Sequence, residues 1–245
     1  SVQVSGNALN FVIGNSSGIS TSGQGFDGIT GGFVGRNFGT IATSYVANTG
    51  LMNYSTAPEG TGSSYSMTAG FVGENTSTGT ISYSYVKALE STISETVPYS
   101  TGLEISSPTN GNVAGFVYLN SGHISNSFAN TVLTSTSAYV AGFVYNNQAD
   151  GVISESYAAC TLNGVDTIND ASEQPFVGVS NSDELLSYGS LDNVYYLIDQ
   201  NNSFIVKTET GKDQAVGLNR DNFTDSNNLN GFVFIESNSR TERNQ

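Results

Sequence analysis

The 245-residue chain carries 21 acidic and 7 basic residues, a formal charge of −14, with one cysteine and no tryptophan. That acidity repels phosphate backbones and anionic membrane surfaces, so nucleic acid is not expected as a partner, and a single cysteine excludes an intramolecular disulfide. A hydrophobic content of 37% argues against disorder, and no run approaches the ~20 apolar residues of a membrane-spanning helix, so no membrane insertion is expected.

The opening stretch, Ser1-Val-Gln-Val-Ser-Gly6, lacks the basic and apolar regions of a signal peptide. An export signal is therefore expected outside this chain, which reads as a piece of something larger. Phe11-Val-Ile-Gly-Asn-Ser-Ser-Gly-Ile19 reads as a degenerate zeroth copy of a motif that then recurs four times. The copies run from Gly32-Phe-Val to Tyr45, Gly70-Phe-Val to Tyr85, Gly115-Phe-Val to Phe128 and Gly142-Phe-Val to Tyr157, spanning 13, 15, 13 and 15 residues. A degenerate fifth copy opens at Pro175-Phe-Val-Gly178. Repeats of this kind mean a stacked, quasi-one-dimensional fold.

Each copy holds Gly-Phe-Val, a Gly/Asn-rich turn, and Gly-x-Ile-x-x-Ser-aromatic, which reads as short strands joined by tight turns. Asn37, Asn75, Asn120 and Asn146 are expected where the chain bends. Stacking predicts three ladders: Phe33, Phe71, Phe116, Phe143 and Phe176; Ile41, Ile81, Ile124 and Ile153; and Tyr45, Tyr85, Phe128 and Tyr157. Strand alternation puts Ile41 and Tyr45 on one face, which turns Ser44, Ser84, Ser127 and Ser156 outward. A bend inside the strand would reverse the serines, and both arrangements stay open. The expected fold is all-β, a parallel β-helix (solenoid) whose coils bury their apolar face only against one another.

Successive Phe positions are 38, 45, 27 and 33 residues apart, and the surplus concentrates in two insertions, 48–67 and 87–112. Insertions map to one side of a solenoid, often the binding side. Tyr54, Glu59, Tyr65, Glu95, Tyr99 and Glu104 within them are the candidate ligand-binding residues, the alternative being an extra coil or an edge hairpin with the tyrosines packed down. Tyr118 and Tyr145 replace the second Gly of the motif, extending a ladder or forming an exposed pair.

Towards the end the pattern changes. Asp192 to Ile198 reads as a strand with Phe204 to Thr208 as its partner, Leu218 to Phe223 as the start of a short helix, and Gly231 to Ile235 as a last strand. The expected division is repeats over 1–184, a C-terminal capping segment of the same domain over 185–235, and a loose tail over 236–245. Residues 1–149 hold six acids and two bases, whereas 150–245 hold fifteen and five, so the charge lies mostly in the second part.

Catalytic chemistry is hard to assemble from these residues. The seven bases are scattered, and the single histidine, His123, fills a slot that sister repeats give to Thr40, Thr80 and Val152. One histidine and one distant cysteine do not make a zinc site, and Cys160, following Tyr157-Ala-Ala, reads as buried and inert. Asp166, Asp170, Glu173, Asp183 and Glu184 lack the spacing of a calcium loop and read as a solvated face. No catalytic residue, metal or cofactor is expected, and the chain is not read as an enzyme. Asn-x-Ser/Thr sequons occur at Asn15, Asn53, Asn75, Asn201 and Asn222, as expected by chance in so Asn-rich a chain.

Gly-Phe-Val-Gly-x-Asn-x-Gly-x-Ile-x-x-Ser-Tyr resembles the GLUG repeat, with Phe where that repeat usually has Leu. The stretch Asn193-Val-Tyr-Tyr, with Gly217-Leu-Asn, Phe223 and Gly231-Phe-Val-Phe, resembles the segment that follows the last such repeat, so the likeness covers about 30–235. It implies a right-handed β-helix from a large secreted or surface-exposed bacterial exoprotein, similar to filamentous-haemagglutinin-like adhesins of two-partner secretion. The implied role is non-catalytic adhesion to a protein or glycan on a host or neighbouring cell, with an outer-membrane secretion partner for the parent protein and a monomeric state. A structural spacer of a surface fibre, or the receptor-binding segment of a contact-dependent toxin carrier, are the alternatives; a polysaccharide-active β-helix enzyme ranks below both. The resemblance supplies no catalytic residues.

Overall fold

The computed structural model describes residues 3–4, 12–13, 19–20, 29–48, 51–53, 67–88, 104–107, 112–135, 140–162, 173–178, 189–197, 215–219, 222 and 228–229. The described part is all-β, with parallel strands gathered in four sheets. The first sheet stacks Gln3–Val4, Val34–Asn37, Val72–Asn75, Val117–Asn120 and Val144–Asn147. The third stacks Ile19–Ser20, Leu51–Asn53, Glu104–Ser107, Val132–Ser135 and Thr161–Leu162. The fourth stacks Ile29–Gly31, Met67–Ala69, Asn112–Ala114, Val140–Ala141 and Glu173–Gln174. Within each sheet, neighbours come from consecutive repeats, so pairing follows the repeat order.

The second sheet takes two short strands from each of the first three repeats: Thr40–Ala42 with Tyr45–Asn48, Thr80–Ser82 with Tyr85–Ala88, and His123–Ser125 with Phe128–Asn130. In later repeats the two merge, as Val152–Ala158 and then Ser190–Leu197. Ser190–Leu197 pairs in register with Val152–Ala158 and carries Ala215–Leu218 beyond it. The parallel pairing therefore runs through the boundary at 184 expected from sequence: Leu191 stands beside Ile153 and Tyr195 beside Tyr157. Leu218 closes a strand rather than opening a helix, and Asn219 Oδ1 accepts the Asn222 N–H at 2.9 Å, a bond of the helix-capping kind. Phe204 to Thr208, Gly231 to Ile235 and the tail 236–245 lie outside the described residues.

The zeroth copy falls elsewhere than the sequence suggests. Gln3 and Val4 pair with Arg36 and Asn37, whereas Val12 and Ile13 pair with Tyr45 and Val46. Phe11-Val-Ile-Gly14 mimics Gly-Phe-Val locally, yet the register gives its strand the place of the closing aromatic.

The Phe and Ile ladders are buried. Phe33, Phe71, Phe116, Phe143 and Phe176 stack with ring centroids 5.0, 4.9, 4.8 and 4.9 Å apart. Ile41, Ile81, Ile124 and Ile153 stand in register beside them in one core that also holds Val34, Val72, Val117 and Val144. From Phe71 to Phe176 each Phe carbonyl accepts two N–H groups from the repeat before: Phe71 O takes Phe33 N–H at 2.8 Å and Val34 N–H at 3.2 Å. The chain turns sharply at this corner, and the preceding glycine is needed for close approach, because a Cβ at Gly142 would run into the Pro175 carbonyl.

The Tyr45, Tyr85, Phe128 and Tyr157 ladder is not internal. Thr43, Tyr83, Asn126, Glu155 and Asn193 have φ of 51°, 50°, 49°, 40° and 50°, so each repeat makes a left-handed bend between its Ile and its Ser. The bend resets the alternation. Ser44, Ser84, Ser127 and Ser156 turn inward and are buried, while the aromatics turn outward and are half-buried. The inward serines are satisfied: Ser84 Oγ donates to Ser82 O at 2.8 Å and accepts from Ser44 N–H at 3.3 Å, and Ser127 repeats the arrangement.

A fourth column was not foreseen. Asn37 Nδ2 donates to Asn75 Oδ1 at 2.8 Å, Asn75 Nδ2 to Asn120 Oδ1 at 2.8 Å, and Asn120 Nδ2 to Asn147 Oδ1 at 2.7 Å, all buried. The fourth member is Asn147, not Asn146, because Asn146 pairs with Leu119 on the outward row. Counting five residues on from each Gly of Gly-Phe-Val selects Asn37, Asn75, Asn120 and Asn147.

Candidate functional site

Of the residues proposed to bind a ligand, Tyr54, Glu59, Tyr65, Glu95 and Tyr99 lie outside the described part. Glu104 opens the strand Glu104–Ser107, which pairs with Leu51–Asn53 and Val132–Ser135. Parts of both expected insertions are thus regular strands of the third sheet, and the surplus contracts to 54–66 and 89–103, with 108–111 following Ser107. Residues 54–66 join the third sheet to the fourth, and 89–103 join the second to the third. One therefore follows a strand of the third sheet in the chain and the other precedes one.

The best-defined surface is the outer side of the second sheet. Tyr45, Tyr85, Phe128 and Tyr157 stack with centroids 4.9, 4.8 and 4.9 Å apart and planes within 4°. Burial raises the pKa of Tyr85, helped by the neighbouring Tyr45, and pushes Tyr157 up to about 12. Rings stacked face to face cover one another's faces and turn edges outward. Beside it runs the ridge of left-handed residues, where Tyr83 is 64% exposed. Across the ridge the outward row reads Ala42, Ser82, Ser125, Ser154, Asp192, and beyond it Thr40, Thr80, His123, Val152, Ser190. His123 is exposed in a row that accepts Thr, Val or Ser.

Tyr118 and Tyr145 form a buried pair, centroids 4.8 Å apart, against Ala69, Ala114 and Ala141. Asn112 Nδ2 donates to Tyr118 Oη at 3.3 Å, and burial outweighs that bond, pushing Tyr118 up to about 12. On the first sheet, Arg36 and Glu74 form an ion pair in the outward row. Cys160 is packed against the core, its thiol donating to Gly142 O at 3.2 Å, and burial pushes it up to about 11. A thiol held protonated at neutral pH is a poor nucleophile.

Among the described residues, no group of three His, Cys, Asp or Glu side chains is placed to hold a metal ion. Asp166, Asp170, Asp183 and Glu184 lie outside them, and Glu173 sits in a strand beside Val140. The sequon at Asn75 is occupied by the buried amide column, while Asn222 is exposed. Sequence reasoning missed Tyr83, although its place, two residues after the Ile of the second copy, is visible once the bend is known. Comparison with protein-family models, curated proteins and solved structures gives no match to this chain.

Proposed function

We propose that this chain is a right-handed parallel β-helix from a large secreted or surface-exposed bacterial exoprotein, acting as a non-catalytic adhesion module. The observation that carries the reading is where the two surplus segments enter the chain: 54–66 follows one strand of the third sheet and 89–103 precedes another, while the third repeat makes the same crossings with 136–139 and Thr131. A solenoid that lengthens its loops along one side builds a recognition surface there. The resemblance to GLUG-repeat exoproteins points the same way, and a cell-surface protein or glycan is the proposed partner. The in-register Phe, Asn and Ser columns favour a second reading, a stiff spacer within a surface fibre. The test is binding of the purified chain to a glycan array and to intact host and bacterial cells, beside a variant with 54–66 and 89–103 shortened to turns. Saturable binding lost on shortening, with an unchanged circular dichroism spectrum, supports adhesion. No binding by either form turns the assignment to the spacer.

A further inference from the structure

The ridge on the second sheet holds a residue that the fold does not reward. Tyr83 has φ 50°, a conformation in which an L residue other than Asn or Gly is strained, and the equivalent places at Asn126 and Asn193 carry the residue that suits it. The residue is 64% exposed, so burial returns little of that cost. The backbone there is fixed, since Thr43 N–H donates to Ser82 O at 3.0 Å and Tyr83 N–H to Ser125 O at 3.2 Å. Ridge residues of successive repeats consequently stand about 4.8 Å apart.

We infer that this ridge, centred on Tyr83, is a contact site for a neutral oligosaccharide. Thr43 and Asn126 flank Tyr83 on the ridge, Ser82 and Ser125 lie beside it, and Tyr85 stands behind. The patch therefore offers one open aromatic ring among hydroxyls and an amide, and none of these six side chains is charged. An uncharged polar ligand with apolar ring faces is complementary to that surface. The nearest basic residues, Lys87 two beyond Tyr85 and His123 two before Ser125, stand outside these six, and the chain's net charge of −14 disfavours an anionic ligand. Glu155, two repeats beyond Tyr83, ends the neutral stretch. The strand Tyr85–Ala88 ends at the residue before the surplus segment 89–103 begins. The inference rests on the adhesion reading and names its ligand class.

The experiment uses the full chain on an array of neutral and acidic oligosaccharides, with Tyr83→Asn and Tyr83→Phe variants and thermal melts of each. Wild type is expected to bind neutral glycans. Tyr83→Asn should weaken that binding by about tenfold or more while its melting temperature stays level or rises, and Tyr83→Phe should keep most of it. Unchanged binding by Tyr83→Asn overturns the inference and leaves adhesion through the insertions intact. Binding restricted to acidic glycans or to protein ligands on cells overturns it equally. Failure of the wild type to bind any glycan or cell removes the adhesion reading together with it.

Discussion

Asn75 and Asn120 are 45 residues apart in the chain, yet the side-chain amide of one donates to the other at 2.8 Å inside the molecule. Asn75 also accepts from Asn37 at 2.8 Å, so its amide serves three successive repeats. Removing it leaves a donor and an acceptor short of a partner in a buried place. Asn75→Ala is expected to cost about 2–4 kcal/mol in urea unfolding. Asn146→Ala, on the outward row, should stay within about 0.5 kcal/mol. Equal losses at the two positions would mean that the amide column contributes nothing of its own.

Phe116 is fully buried with a ring stacked on each side, at 4.9 and 4.8 Å. Phe116→Ala should lose about 3–5 kcal/mol. Phe128→Ala should lose less than half as much, because its ring belongs to the half-buried outer row. Comparing their thermal unfolding tests the inside-outside assignment set by the bend.

Thr68 is buried, and its Oγ1 has no hydrogen-bond partner among the described residues. Its register neighbour in the next repeat is Val113, followed by Val140. Thr68→Val keeps the shape and removes an unsatisfied hydroxyl, so a gain of about 1 kcal/mol is expected in equilibrium unfolding. A loss instead would reveal a hidden partner for the hydroxyl.

Thr43 is β-branched and has φ 51°, the most strained combination on the ridge. Asn occupies the equivalent place twice. Thr43→Asn should stabilise by about 0.5–1 kcal/mol, read as a higher urea midpoint with an unchanged slope.

Burial raises the Tyr118 and Tyr157 hydroxyls to about 12 from an ordinary value near 10. The folded state therefore favours their neutral form. The stability this contributes is complete below pH ~10 and is lost as the pH climbs towards ~12. The phenolate absorbance of these two should appear late, together with the loss of circular dichroism. Tyrosines all ionising near pH 10 with the fold intact would contradict that burial.

The repeat, its short strands and the buried Phe and Ile columns were legible because Gly-Phe-Val and Ile recur at near-constant spacing. The bend was not, since Thr43, Tyr83, Asn126, Glu155 and Asn193 share no side-chain property that marks a left-handed backbone. Without it, two-residue alternation sends Tyr45 inward and Ser44 outward, the reverse of what is seen. Adjacent asparagines hid the amide column, because only the count from Gly142 separates Asn147 from Asn146. The insertions were visible as surplus length, but Leu51–Asn53 and Glu104–Ser107 inside them were too short and mixed to read as strands. Of the candidate site, the sequence offered the loops and not the ridge.

The glycine at each Gly-Phe corner sends its N–H forward: Gly32 to Ala69, Gly70 to Ala114, Gly115 to Ala141, Gly142 to Gln174. In the fifth repeat that place belongs to Pro175, which has no N–H to give, and the matching Ser place belongs to Val194, which has no hydroxyl. Two of the polar files that template one layer on the next therefore go blank at the same layer. A further copy of the motif would meet no N–H donor at the Pro175 place, and the Ser156 N–H, whose counterparts donate forward to a serine hydroxyl, faces Val194 instead. Backbone pairing goes on one strand further, to Ala215–Leu218, so the polar files give out before the sheet does and the last described layer is held by main-chain bonds without them.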